Sequence, residues 1–239
     1  MGASLPPGTP YDAAVDDLWA TLIPLAVAGA LVPAQIVVTV LLLRAPGGAL
    51  AAAAFVAGMT AVRFGQGVLF GLVLTGADAS EEPSGPGTIA ALLLLVLGLL
   101  FYATAVRAAL AGDDPDEPPP KWLAKTDTMT WPKAFAFGAG LMLVAPKFWV
   151  FTLSAIAAIE AAELGTAAAS MAFLGFVALT QSVLIAIVLF AALAPARSAT
   201  ALDAMSGWLE RNDRILVIAI GAIFGTWFAV KGLSGLGVL

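Results

Sequence analysis

The sequence predicts an all-α polytopic membrane protein: six transmembrane helices built as two inverted three-helix repeats, with both termini outside. Three observations predict it. The first is composition: 61% of the 239 residues are hydrophobic and only 11% charged, with a mean hydropathy of +0.98, whereas a soluble domain carries about 25% charged residues. The second is six apolar runs, each long enough for the ~20 residues that cross the hydrocarbon. The third is a pair of proline-bearing stretches at corresponding places in the two halves. Val32-Pro33-Ala-Gln35-Ile-Val-Val-Thr39 matches Ala145-Pro146-Lys147-Phe-Trp-Val-Phe-Thr152, each a proline followed six residues later by threonine.

The spans fall near 18–43, 49–75, 87–111, 134–158, 166–194 and 214–236. Arg44-Ala-Pro-Gly-Gly48 ends the first, and a stretch with Asp78, Glu81 and Glu82 separates the second from the third. The acidic, proline-rich insert Asp113-Asp-Pro-Asp-Glu-Pro-Pro-Pro120 reads as extended and solvated. It divides the chain into a first repeat (1–111), a cytoplasmic linker (112–132) and a second repeat (133–239). Ala54-Phe55 matches Ala172-Phe173 between the second and fifth spans, which sets Arg63 opposite Gln181. With an odd number of spans per half, the second copy enters the membrane upside down. Inverted repeats with interrupted helices point to a transporter's central site.

Basic residues orient the chain. Arg44, Arg107, Lys121, Lys125, Lys133, Arg197, Arg211 and Arg214 fall on one side of the spans, against Lys231 alone on the other. The first side is therefore expected to be cytoplasmic. Leu202, Met205 and Leu209 with Trp208 read as a short helix lying at the membrane interface.

Arg63 and Lys147 are the basic residues left inside spans, and all 16 acids lie in loops or at span ends. Pro146 removes a backbone donor and clashes with the carbonyl of Met142, and in lipid a freed carbonyl must find another partner. Lys147 sits about 13 residues inside its span, too deep for easy snorkelling, where a lysine costs roughly 2.5–3.5 kcal/mol. With no carboxylate at any span centre, the lysine and the start of a half-helix favour an anionic ligand. Arg63, with Gln66 on the same face, either binds such a ligand through its planar guanidinium or pairs with carbonyls freed at the Pro33 break. Gln35, Gln181 and Thr180 add neutral polar groups, each of which could equally be glue between helices. Thr39 and Thr152 are expected to bond back to carbonyls of their own helices. The glycines at 65, 67 and 71 read as sites of close packing.

The chain has no cysteine and no histidine, which excludes thiol redox chemistry and removes the commonest metal ligand and acid–base group. It has no HExxH, GxSxG or P-loop and no paired intramembrane aspartates. No enzymatic activity, cofactor or metal is expected. Cation export is disfavoured because hard cations need oxygen ligands, usually carboxylates. The partners expected are membrane lipids and an anionic or amphipathic substrate, with no nucleic acid and with homo-oligomer formation left open.

Pro120-Lys-Trp-Leu-Ala-Lys125, Lys133-Ala-Phe-Ala-Phe-Gly138 and Ala145-Pro146-Lys147, with the ending Asp203-Ala-Met-Ser-Gly-Trp-Leu-Glu-Arg-Asn212, Gly221 and Lys231-Gly232, carry a family resemblance. Together they resemble the GAP family, the peptidoglycolipid addressing proteins of mycobacteria and relatives within the lysine-exporter (LysE) superfamily. The resemblance implies a six-span inner-membrane protein of two three-span repeats that exports small molecules or moves envelope glycolipids. Where that family tends to have Asn-Pro-Lys-Asn, this chain has Ala145-Pro146-Lys147-Phe148, which leans away from amino acids and toward a greasier substrate. The alternatives are a non-transporting scaffold for an envelope-lipid export complex and an amino-acid exporter of the lysine-exporter type.

Overall fold

A computed structural model describes residues 10–45, 47–77, 86–110 and 129–239. The insert Asp113–Pro120, the acids of the second loop, and Lys121 and Lys125 lie outside the described residues. Among the described residues the chain is all helical: α1 (Pro10–Ala30), α2 (Pro33–Arg44), α3 (Gly48–Ala77), α4 (Pro86–Leu110), α5 (Trp131–Val144), α6 (Pro146–Ala161), α7 (Thr166–Leu193) and α8 (Pro195–Gly235).

Prolines set most of these boundaries. A proline fits the first turn of a helix and forces the residue before it into extended backbone. Val32 (φ −66°, ψ 109°) precedes Pro33, and Ala145 (φ −87°, ψ 110°) precedes Pro146. Both predicted breaks are therefore present. The first span nevertheless differs from the expected 18–43: α1 starts at Pro10, and Tyr11–Ala30 is long and apolar enough to cross a membrane by itself, with α2 as a shorter apolar helix after it. In the fourth, α5 and α6 meet at a 72° bend. Among the described residues five helices are long and apolar enough to span, and the bent pair taken as one span makes a sixth.

In lipid, apolar burial does not drive helices together, so close backbone approach and side-chain interlocking must. Small residues supply the approach. Gly98 of α4 lies against Gly225 and Ala229 of α8, and Gly232 of α8 against the Ala91 carbonyl of α4. Gly58 of α3 abuts the Phe135 carbonyl of α5, and Gly138 of α5 abuts the Phe55 carbonyl of α3. On the other side α1 packs on α7, with Gly29 against Thr180 and Gly175 against the Trp19 ring. Phe101, Phe151, Phe224 and Phe228 interlock where α4, α6 and α8 meet. The expected packing glycines 65 and 71 differ: a side chain at either would meet nothing within 4 Å.

The helix around Trp208 is also not a separate interfacial element. It belongs to α8, 41 residues long, or about 62 Å at 1.5 Å per residue, roughly twice the hydrocarbon thickness. Leu202 is buried in one cluster with Val38, Val40 and Leu42 of α2, and Met205 packs against that cluster. Leu202 and Met205 of the stripe that suggested a membrane surface are thus used within the molecule, while Trp208 is exposed. Arg214 donates from Nε to the Ala108 carbonyl (3.0 Å) and from Nη2 to the Ala109 carbonyl (2.9 Å), capping the C-terminal end of α4.

Gly58→Leu should wedge α3 from α5 at a backbone contact that cannot yield, costing about 2 kcal/mol. Gly65→Leu, facing open space, should leave stability unchanged. Thermal unfolding of both variants in detergent micelles checks the difference.

Candidate functional site

Apart from Thr21 of α1 and Ser198 of α8, the buried polar side chains among the described residues come from α2, α3, α6 and α7. Gln35 and Thr39 come from α2, Arg63 and Gln66 from α3, Thr152 and Ser154 from α6, and Thr180 and Gln181 from α7. Each stands in a helix that is otherwise apolar, so its depth follows from the helix that carries it.

The three threonines turn inward on their own helices: Thr39 donates to the Gln35 carbonyl (2.8 Å), Thr152 to the Phe148 carbonyl (3.1 Å) and Thr180 to the Phe176 carbonyl (2.7 Å). For Thr39 and Thr152 this is the expected arrangement. The Gln181 amide donates to the Thr60 hydroxyl at 2.9 Å, tying α7 to α3. Thr60 in turn donates to the Val56 carbonyl.

Arg63 is different. Its side chain is 1% exposed, its Nη2 lies 4.0 Å from the Met142 sulfur, and its guanidinium carbon sits 5.9 Å from the centre of the Phe176 ring. Nε and Nη1 have no hydrogen-bond partner among the described residues. The expected alternative of carbonyls freed at the Pro33 break is not realised. Gln66 (4% exposed) has both amide atoms without a partner, and Gln35 (1% exposed) has its Nε2 without one. Ser154 Oγ is in the same state. A sulfur and a ring face are weak company for a guanidinium, because buried polar groups are ordinarily hydrogen-bonded and each unmet one costs about 1–3 kcal/mol. The surplus is mostly of N–H donors, the complement of an anion or of water.

Lys147 stands apart from this group. It opens α6 with an exposed side chain, and its Nζ lies 5.1 Å from the centre of the Phe148 ring. Phe148 itself is buried, so of two residues adjacent in sequence one turns inward and the other outward. Trp149 Nε1 donates to the Leu143 carbonyl across the bend (2.9 Å), meeting one of the backbone groups the break frees, and its ring meets Phe70 of α3 edge-on. Arg63 and Lys147 thus flank the α5–α6 break. Arg63 reaches Met142 from within, and Lys147 lies on the exposed side. Pro33, at the other break, is half-buried.

A guanidinium without a carboxylate, sealed inside a polytopic helical protein, narrows the range of families. The family profile described as Sap, sulfolipid-1-addressing protein, matches residues 22–234. The chain belongs to the sulfolipid-1-addressing protein family. The resemblance noted in the sequence therefore holds at the level of a mycobacterial lipid-addressing family over most of the chain. No curated protein and no solved structure matches it. In this Sap-family protein, then, α3 carries Thr60, Arg63 and Gln66 in successive turns, with Gln181 of α7 bonded to the first of them, while Gln35 is buried on α2. Sequence reasoning did not single out Met142, Phe176, Thr60 or Ser154. Of these Thr60, one turn before Arg63, and Ser154, two residues after Thr152, carry a polar signal in the chain itself.

Arg63→Met replaces an under-partnered buried charge by an apolar side chain of similar length. It should leave stability unchanged or raise it, within the about 1–4 kcal/mol seen when buried ionic groups give way to apolar ones. Thermal unfolding in micelles checks this, and a large loss would mean that Arg63 serves the fold.

Proposed function

We propose that the protein is an exporter of the plasma membrane that moves an anionic, amphipathic envelope lipid or glycolipid across or out of that membrane. Arg63 is the group that meets the anion. The observation that carries this is a fully buried guanidinium with two nitrogens unpartnered among the described residues, with Gln66 in the same state one turn on, in a chain of a lipid-addressing family. An acidic lipid is the class toward which the family's name points. Lys147, exposed at the start of α6, is the outer contact on the same path, where a lysine and free helix N–H groups attract the headgroup first.

The same reading takes α5 and α6 as one broken span, giving six spans in two inverted repeats on the plan of the lysine exporters, with both termini outside. The pairing of helices supports it: α1 packs on α7 as α5 packs on α3, and α4 packs on α8. So do the two breaks, where Thr180 touches Gly29 and Arg63 touches Met142. Gly29 and Met142 are the residues four before Pro33 and Pro146, whose carbonyls the prolines release. The bias of basic residues supports the orientation. No chemical step is assigned to the protein.

A second reading, a scaffold for an envelope-lipid export complex, draws on the long extension of α8 with its exposed Trp208. One assay separates the two: flux of a fluorescent acidic lipid across vesicles holding the purified protein. Losing a charged hydrogen bond of about 1.5–3 kcal/mol, Arg63→Gln should lower flux by roughly 10- to 100-fold. Lys147→Ala should lower it less. Undiminished flux in Arg63→Gln would refute the role given to Arg63. No flux in the unaltered protein would favour the scaffold.

A further inference from the structure

The seam between α3 and α7 carries two clefts. One, of about 510 Å³, runs along Val56, Thr60 and Ala61 of α3 and Ile185 and Leu189 of α7. The other, of about 610 Å³, runs along Gly67, Val68 and Gly71 of α3 and Phe173 and Leu174 of α7, with the end of α6 beside it. Phe64 lines both. From Ala53 to Gly71 the two clefts follow α3 for about 27 Å at 1.5 Å per residue, close to the ~30 Å of the hydrocarbon core. Their side chains are mostly apolar, and Val68 (66% exposed), Leu174 and Leu189 face outward.

Aromatic rings interrupt this course and join it to the polar interior. Phe64 meets Phe173 edge-on at 6.2 Å. The Phe173 ring also fills the space that a side chain at Gly67 would need. Phe173 lies 6.3 Å from Phe176, whose face covers Arg63. Phe173 therefore lines the waist of the seam and stands against the ring, Phe176, that covers the guanidinium.

We propose that the α3/α7 seam holds the hydrocarbon chains of the lipid whose anionic headgroup meets Arg63, and that Phe173 is the lateral gate between the two. The proposal rests on the export reading above. Its physical reason is an asymmetry of solvation. A charged headgroup in hydrocarbon costs several kcal/mol and must travel inside the protein. Acyl chains gain nothing by leaving lipid and need only a smooth apolar surface open to the bilayer along its whole depth. Displacing Phe173 connects the two routes without unpacking α3 from α5.

The test uses the full-length protein in phosphatidylcholine vesicles containing phosphatidylglycerol with a diazirine at the end of one acyl chain. After illumination, adducts should be enriched several-fold at Val68, Leu174 and Leu189 over the similarly exposed Leu92 and Leu99 of α4 and Ile223 of α8. Phe173→Ala should extend them to Met59 and Val177, which are buried in the unaltered protein. Gly67→Val, which displaces the ring without removing it, should do the same. An even spread over all outward-facing positions, or adducts that neither variant moves inward, overturns the proposal. Arg63→Gln distinguishes the two readings. It should abolish the preference for a phosphatidylglycerol probe over a phosphatidylcholine one while adducts stay along the seam. Preference retained in that variant counts against the export reading and leaves the seam standing.

Discussion

Hydrocarbon offers no hydrogen bonds, and the arrangement of this protein follows from how two proline breaks are met under that constraint. Pro33 and Pro146 each end one helix and begin another within an apolar stretch. Backbone groups freed there must be answered by protein or by water that protein encloses. Around the second break the answers are visible: the Trp149 indole bonds the Leu143 carbonyl, and α3 packs Phe70 against that indole. Buried polar side chains follow each break in sequence, Gln35 and Thr39 after Pro33 and Thr152 and Ser154 after Pro146. In that setting a guanidinium can be held without a carboxylate.

The two breaks are not equivalent. Helix α1 has 21 residues before its break and α5 has 14. Thr180 meets a glycine at the first, and Arg63 meets a methionine sulfur at the second. A scaffold that pairs its helices in matching ways is thus charged on one side only. On the other, Gln181 spends its donor on Thr60. The polar group that stabilises packing is a neutral amide, and the polar group left for other work is cationic.

Much of this was legible in the sequence, because the physics involved is local. A proline in an apolar run ends a helix wherever it falls, and Arg63, Gln35 and Gln181 stand out against their neighbours. Threonines bonded to their own helices follow from side-chain reach alone. What could not be read was direction. Lys147 and Phe148 are adjacent and equally deep, yet one is exposed and the other buried, since about 100° of helix rotation separates them. Met142 and Phe176 resemble every other apolar residue, and only tertiary packing brings them to Arg63. Glycines at 65 and 71 resemble those at 58 and 138, but only the latter face a neighbouring backbone. The stripe of Leu202 and Met205 fitted a membrane surface as well as it fits α2. An amphipathic pattern states that a face is covered without stating by what.

Helix α8 has a mechanical consequence. It is continuous from Pro195 to Gly235, gripped from Arg214 onward by the Arg214 bonds and the glycine contacts to α4 and touching α2 near its start through Leu202. Such a rod acts as a lever whose fulcrum lies in the α4 seam. A tilt of about 10° there would carry the first residues of α8 sideways by about 5 Å, given some 28 Å of helix between them. Because that end rests on α2, which starts at the Pro33 break, such a displacement would bear on the helix that carries Gln35 and Thr39.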